Sequence, residues 1–116
     1  MAIPKPGKPV RGSTTGAPIM ALFDLLGRRW AMGIIWNLAA GPSTFRALQT
    51  PRARKSVTIS PSILNARLKD LQEARLAERT LDGYALTELG RELFSLIEPL
   101  DAYALKWGKA IGEPGA

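Results

Sequence analysis

The sequence predicts a mainly α-helical domain carrying one small β-hairpin, and three observations point there. Apolar residues recur at helical spacing in successive stretches between Ile19 and Trp107. One segment, LAERTLDGYALT, instead groups strand-forming residues around an Asp-Gly pair. Residues that stop or start helices, Gly41-Pro42, Pro51 and Ser60-Pro61, fall between the periodic stretches. With 116 residues, 46% of them hydrophobic, the chain suffices for one compact core and is too short for two ordinary domains.

The elements follow in order. Residues 1–18 combine Pro, Gly and small polar residues with three bases and no acid, giving a flexible basic arm without a core of its own. Composition leaves open whether it is a plain tail, the favoured reading, or lies along a phosphate backbone. The domain proper spans 19–112, and 113–116 form a short tail. Ile19 to Leu26 places Leu22, Leu25 and Leu26 on one helix face; Gly27 then loosens the chain before Arg28 and Arg29. Trp30 to Ala40 continues with Ile34, Ile35 and Leu38, and Gly41-Pro42 ends it. Ser43 or Thr44 can cap a short helix holding Phe45 and Leu48. A loop containing Arg52, Arg54 and Lys55 leads to Ser60-Pro61, a cap residue followed by proline at the first helical position.

In the helix that begins there, Leu64, Leu68 and Leu71 define a buried stripe with Ile63 on its flank. Ser62, Asn65, Ala66, Lys69 and Glu73 point roughly the other way. Arg67 sits at the margin, where it can reach a phosphate or cover apolar surface with its stem. The hairpin follows, with Asp82-Gly83 as its tight turn and Leu76, Leu81, Tyr84 and Leu86 as a packed face. Thr87 caps a long last helix in which Leu93, Phe94, Ile97, Leu100, Leu105 and Trp107 cover more than one narrow stripe, with Pro99 interrupting or bending it. That apolar surplus calls for a second surface, most simply another copy of the chain.

Composition excludes much. Cysteine and histidine are both absent, removing disulfides, thiol nucleophiles, Cys/His metal sites and imidazole bases. The acids are scattered along helices and no Gly-rich phosphate loop follows a strand, so no catalytic residue, metal or cofactor is expected. No run approaches the roughly 18 to 20 apolar residues that cross a bilayer, and the N-terminus lacks the apolar core of a signal peptide, so a cytoplasmic protein is expected. The net charge is +6, concentrated toward the middle of the chain: residues 43–75 hold seven bases and two acids, whereas 76–116 hold four and seven. A basic patch beside a polar-faced helix is the footprint of a nucleic-acid partner.

The order helix, helix, short helix, loop, polar-faced helix, hairpin, long helix is that of a winged helix-turn-helix, whose second paired helix enters the major groove. The chain resembles the HxlR-type transcriptional regulators, relatives of the MarR group. "APIMALFDLLGRRW" is similar to that family's "CP…LxLLGGKW" through Leu26, Gly27 and Trp30. "GPSTFRALQ" resembles "GPxRFxEL" through Gly41, Pro42, Phe45 and Leu48. "ISPSILNARLKDLQEARLAER" resembles "ISxxxLxxRLxxLExxGLxxR" through Ile59, Ser60, Leu64, Arg67, Leu68, Leu71, Leu76 and Arg79, and "YALTELG" resembles "YxLTxxG" through Tyr84, Leu86, Thr87 and Gly90. Three departures stand out. Ala17 replaces a cysteine common in the family, so thiol sensing cannot operate through it. The loop containing PRARKS is longer than usual and the hairpin shorter, and the basic loop is read as replacing part of the wing's reach.

The resemblance implies a homodimer joined through terminal helices, double-stranded DNA as partner, a roughly palindromic operator and regulation of transcription, repression favoured over activation, with a small-molecule effector as a further partner. Base readout falls to Ser62, Asn65 and Lys69, since Asn65 can pair bidentately with adenine. Phosphate contacts fall to Arg52, Arg54, Lys55, Ser60, Arg67 and Arg79. Trp30, Trp36 and Trp107 are read as a dimer core or, less favoured, an effector pocket. The alternatives are an architectural or weakly specific DNA-binding protein and a winged helix used for protein contacts.

Overall fold

The computed structural model describes residues 3–10, 14–50 and 57–112. Helix α1 (Pro18–Leu26) begins with proline at its first position, where no N–H is needed. It closes at Gly27, and the chain turns through Arg28 and Arg29 to Trp30, which takes the left-handed conformation at φ 72°. Helix α2 (Ala31–Ala39) follows, burying Ile34, Ile35 and Leu38. Of the two candidate caps for the short helix α3 (Phe45–Leu48), Thr44 is the one used: its hydroxyl accepts the Ala47 N–H at 3.1 Å.

Helix α4 (Pro61–Glu73) starts as its sequence dictates, with the Ser60 hydroxyl accepting the Ile63 N–H at 3.3 Å. Its end is closed by backbone hydrogen bonds that apolar periodicity does not report. The Leu76 N–H reaches the Leu71 carbonyl at 2.9 Å and the Arg75 N–H the Gln72 carbonyl at 3.0 Å, the paired bonds of a Schellman motif. That motif needs a left-handed residue, and Arg75 supplies it at φ 63° where the family signature has glycine.

The hairpin corrects the sequence reading. Strands β1 (Ala77–Arg79) and β2 (Tyr84–Leu86) pair antiparallel, Ala77 opposite Leu86 and Arg79 opposite Tyr84. The Thr80 N–H donates to the Gly83 carbonyl at 2.8 Å and the Gly83 N–H to the Thr80 hydroxyl at 3.0 Å, so the tip is Leu81-Asp82 and not Asp82-Gly83. Gly83 is drawn inward because Ser43 pairs with Tyr84 alongside β2, its N–H and carbonyl bonded at 2.9 and 2.8 Å; a β-carbon on Gly83 would overlap the Ser43 carbonyl. Leu81, expected in the packed face, is 99% exposed at the tip.

The long last helix is divided at Glu98 into α5 (Glu88–Ile97) and α6 (Pro99–Ala110), as a proline without an N–H requires. Thr87 caps α5 through the Gly90 N–H at 3.0 Å, while donating its own hydroxyl proton to the Arg75 carbonyl at 2.7 Å. Gly90 lies so close to the Leu76 carbonyl that any β-carbon there would overlap it.

One core joins these elements: Leu25, Ile34, Ile35, Leu38, Leu48, Ile59, Leu64, Leu68, Leu71, Leu76, Tyr84 and Leu86 are buried together, with Leu93 and Phe94 packed against them. α6 contributes little to it; among its residues only Gly108 is buried. Among the described residues no helix is long and apolar enough to cross a membrane. The N-terminal segment has no element of its own, yet Ile3 packs against the core and the Gly7 N–H bonds the Gly16 carbonyl at 2.8 Å.

Candidate nucleic-acid interface

Three leucines fix one side of α4: Leu64, Leu68 and Leu71 are buried essentially completely. At helical spacing this leaves the opposite side outward, and Ser62, Asn65, Ala66, Lys69 and Glu73 are all exposed there. The start of α4 is held to its partner α3, since the Ile59 N–H donates to the Gln49 carbonyl at 2.7 Å and clasps the two ends of the intervening loop.

Arg67 and Asp70, at the margin of this face, form a junction that the sequence did not reveal. Asp70 is buried, its side chain 9% exposed, and its Oδ2 accepts Nη1 of Arg67 at 2.8 Å and lies 3.1 Å from Nη1 of Arg28. Arg67 also donates Nε–H to the Arg29 carbonyl at 2.9 Å. The turn between α1 and α2 is thereby tied to α4 at the point where Trp30 adopts its left-handed conformation. Removing Asp70 would take this carboxylate from two guanidinium-bearing side chains that are only about a fifth exposed. The guanidinium of Arg67, predicted to contact phosphate, is therefore engaged within the fold.

The same turn adds charge to the interface. A groove of about 910 Å³ runs between it and α4, lined by Arg28, Arg29, Ser62, Asn65, Lys69 and Glu73 among others. Arg29 is exposed, with its guanidinium carbon 5.4 Å from the centroid of the Trp30 ring. Sequence reasoning passed over this pair; two consecutive arginines after Gly27 were the available signal, but their proximity to Asn65 arises only from packing.

The other predicted contacts are distributed. Ser60 is exposed at the start of α4, with its hydroxyl serving as the cap. Arg79 lies on the hairpin, its guanidinium carbon 5.3 Å from the Tyr84 ring centroid. Arg52, Arg54 and Lys55, and with them the proposal that the basic loop replaces part of the wing, lie outside the described residues. The three tryptophans have different surroundings within one copy: Trp30 is half-buried against the core, Trp36 meets Phe94 edge-on at 5.0 Å between centroids, and Trp107 stands 55% exposed on α6.

Comparison with known proteins agrees with this fold. Residues 25–112 match the model of the HxlR-like helix-turn-helix family. The HTH-type transcriptional regulator YodB of Bacillus subtilis is 31% identical over 111 residues, covering 90% of this chain and 92% of YodB. An uncharacterised HTH-type transcriptional regulator of Methanocaldococcus jannaschii is 25% identical over 91 residues, covering 78% of this chain and 86% of its own. The crystal structure of quinone-bound YodB superposes with a TM-score of 0.67 at 33% identity, covering 76% of this chain and 96% of YodB's. The chain belongs to the HxlR-like helix-turn-helix family, a family of DNA-binding transcriptional regulators and not of enzymes.

Proposed function

We infer that this protein is a homodimeric, sequence-specific transcriptional regulator that inserts α4 into the major groove of a roughly palindromic operator. The observation that carries this reading is the outward face of α4. Ser62, Asn65 and Lys69 are exposed side by side on a helix whose other side is locked by three buried leucines. A helix so held offers a fixed donor and acceptor pattern to a groove about 12 Å wide. Asn65 pairs with an adenine edge, and Ser62 and Lys69 address a base edge or a phosphate. Arg29, the start of α4 at Ser60, Arg79 and the basic loop residues Arg52, Arg54 and Lys55 supply the phosphate contacts. Arg67 acts chiefly as a strut for the α1–α2 turn.

Dimerisation proceeds through α6 and its neighbours, whose large apolar side chains lack cover in a single copy. Two copies of α4 then address half-sites about one helical turn apart. Trp36 and Trp107 belong to this dimer core. The regulator works in the cytoplasm as a repressor, occupying its operator until an effector weakens the complex. YodB is known with bound quinone, but the present chain has no cysteine, so any small-molecule effector acts without thiol chemistry.

Selection of binding sites from a randomised duplex pool tests the reading. The expected result is a roughly palindromic motif that binds about 10³-fold or more tighter than a scrambled duplex at two salt concentrations. Equal, salt-sensitive binding to both duplexes would instead indicate a weakly specific architectural protein.

A further inference from the structure

The wing of this protein is poorly equipped to hold DNA. Its strands have three residues each, and its exposed tip is Leu81-Asp82 with Glu78 nearby. Its one base is Arg79, so the hairpin itself offers a single phosphate contact. The positive charge missing from the wing is found at the N-terminus, where Lys5, Lys8 and Arg11 precede the first acid, Asp24.

The described part of that segment is shaped and anchored. Lys8 N–H donates to the Lys5 carbonyl at 3.2 Å, making a turn, and the Gly7 N–H reaches the Gly16 carbonyl at 2.8 Å. Both glycines have positive φ, 81° and 73°. A β-carbon on Gly16 would stand 3.1 Å from the Gly7 backbone, closer than ordinary contact. Ile3 packs against the hydrophobic core. Lys5 Nζ lies 3.8 Å from Oε1 of Glu73 on the last turn of α4.

Glu73 places this anchor on the recognition face itself, since it lines the groove together with Asn65 and Lys69. An unscreened carboxylate there would repel phosphate. Lys5 offsets it, favoured also by the negative end of the α4 dipole. Its side chain remains 56% exposed and the 3.8 Å ion pair is longer than a hydrogen bond, so the ammonium stays accessible to a phosphate. Lys8 is exposed one turn further along the arm.

We propose that the N-terminal arm, docked through Lys5 on Glu73, is a second phosphate-binding element that grips the DNA backbone beside the segment read by α4, using Lys5 and Lys8. This rests on the DNA-binding reading above. The arm carries no base recognition, so it adds affinity and salt dependence without altering the preferred sequence.

The test compares the parent protein with Lys8→Gln and Lys5→Gln/Lys8→Gln on the duplex enriched from the randomised pool, with and without flanking base pairs, over a salt series. Each lost contact should lower the log-log salt slope by about one unit per protomer, so the double variant loses about twice as much as Lys8→Gln. Preference for the motif over a scrambled duplex should stay unchanged. Trimming the flanks should remove the parent's advantage. Equal slopes and affinities on the flanked duplex would overturn the proposal, as would an advantage that survives trimming, which marks a long-range charge effect. Both lysines are exposed, and Lys8→Gln leaves the Lys5–Glu73 pair intact, so a melt matching the parent's separates contact from folding. A parent that binds no duplex would overturn the regulator reading itself; a parent that binds while both variants match it would overturn only the arm.

Discussion

Helices α4 and α6 are close in length, 13 and 12 residues, and both begin with proline at the first helical position. α4 buries Leu64, Leu68, Asp70 and Leu71 within its own copy and leaves a polar face outside. α6 buries only Gly108 and leaves Leu100, Tyr103, Leu105 and Trp107 exposed. Leu96 on the preceding helix is 75% exposed and extends the same apolar character. What each helix withholds from the core indicates what it is for. A polar residue pattern on a rigid backbone suits the base edges and phosphates of DNA, and a broad apolar surface suits a second copy of the chain. On the proposed reading the two roles are separated in space, so each can be broken alone.

The largest effect is expected at α6. Leu100 is 55% exposed in a single copy, so replacing it with glutamate forfeits about half of a leucine's apolar burial and adds the desolvation of a carboxylate, together roughly 1.5 to 3 kcal/mol from each copy. Symmetry doubles this to about 3 to 6 kcal/mol, or roughly 10² to 10⁴-fold weaker dimerisation. Analytical ultracentrifugation should show monomers with unchanged helical content. A dimer as stable as the parent's would move the interface elsewhere. On the buried side of α4, Leu68→Ala should cost about 2 to 5 kcal/mol of stability in a urea or thermal melt and reduce DNA binding indirectly. Its outward side should behave in the opposite manner. Asn65→Ala is expected to leave the melt unchanged while lowering discrimination at one base pair of each half-site by about 1 to 3 kcal/mol, measured by competition between operator variants. The smallest effect concerns the end of α4: Arg75→Gly should raise stability by about 1 kcal/mol, because glycine occupies the left-handed position without the Cβ clash. A lower melting temperature would show that the Arg75 side chain contributes more than its backbone conformation costs.

Particular residues show how far the sequence could be read. Ser60-Pro61, Thr44 and Thr87 announced their helices because a cap is a local hydrogen bond, formed between residues three apart. Leu64, Leu68 and Leu71 announced the buried side of α4 because helical periodicity is also local. The hairpin was legible as a hairpin but not in its register. An Asp-Gly pair favours a tip, yet Gly83 was claimed by the close approach of Ser43, forty residues away in the chain. Arg67 illustrates the same limit within the site. Its place at the margin of α4 was predictable, but its bond to the Arg29 carbonyl spans 38 residues and no periodicity reports it.

By itself, then, the sequence determined the helices, their caps, the polar and apolar sides of α4, the apolar surplus of the last helices and the absence of any Cys or His chemistry. These follow from backbone geometry and side-chain type over a few residues. Only the tertiary structure decided that the tip of the hairpin is Leu81-Asp82, that Arg28, Arg67 and Asp70 lock the α1–α2 turn to α4, and that Lys5 docks on Glu73. Each of these depends on a distance between segments far apart in the chain, which close packing of the core sets and local preference does not.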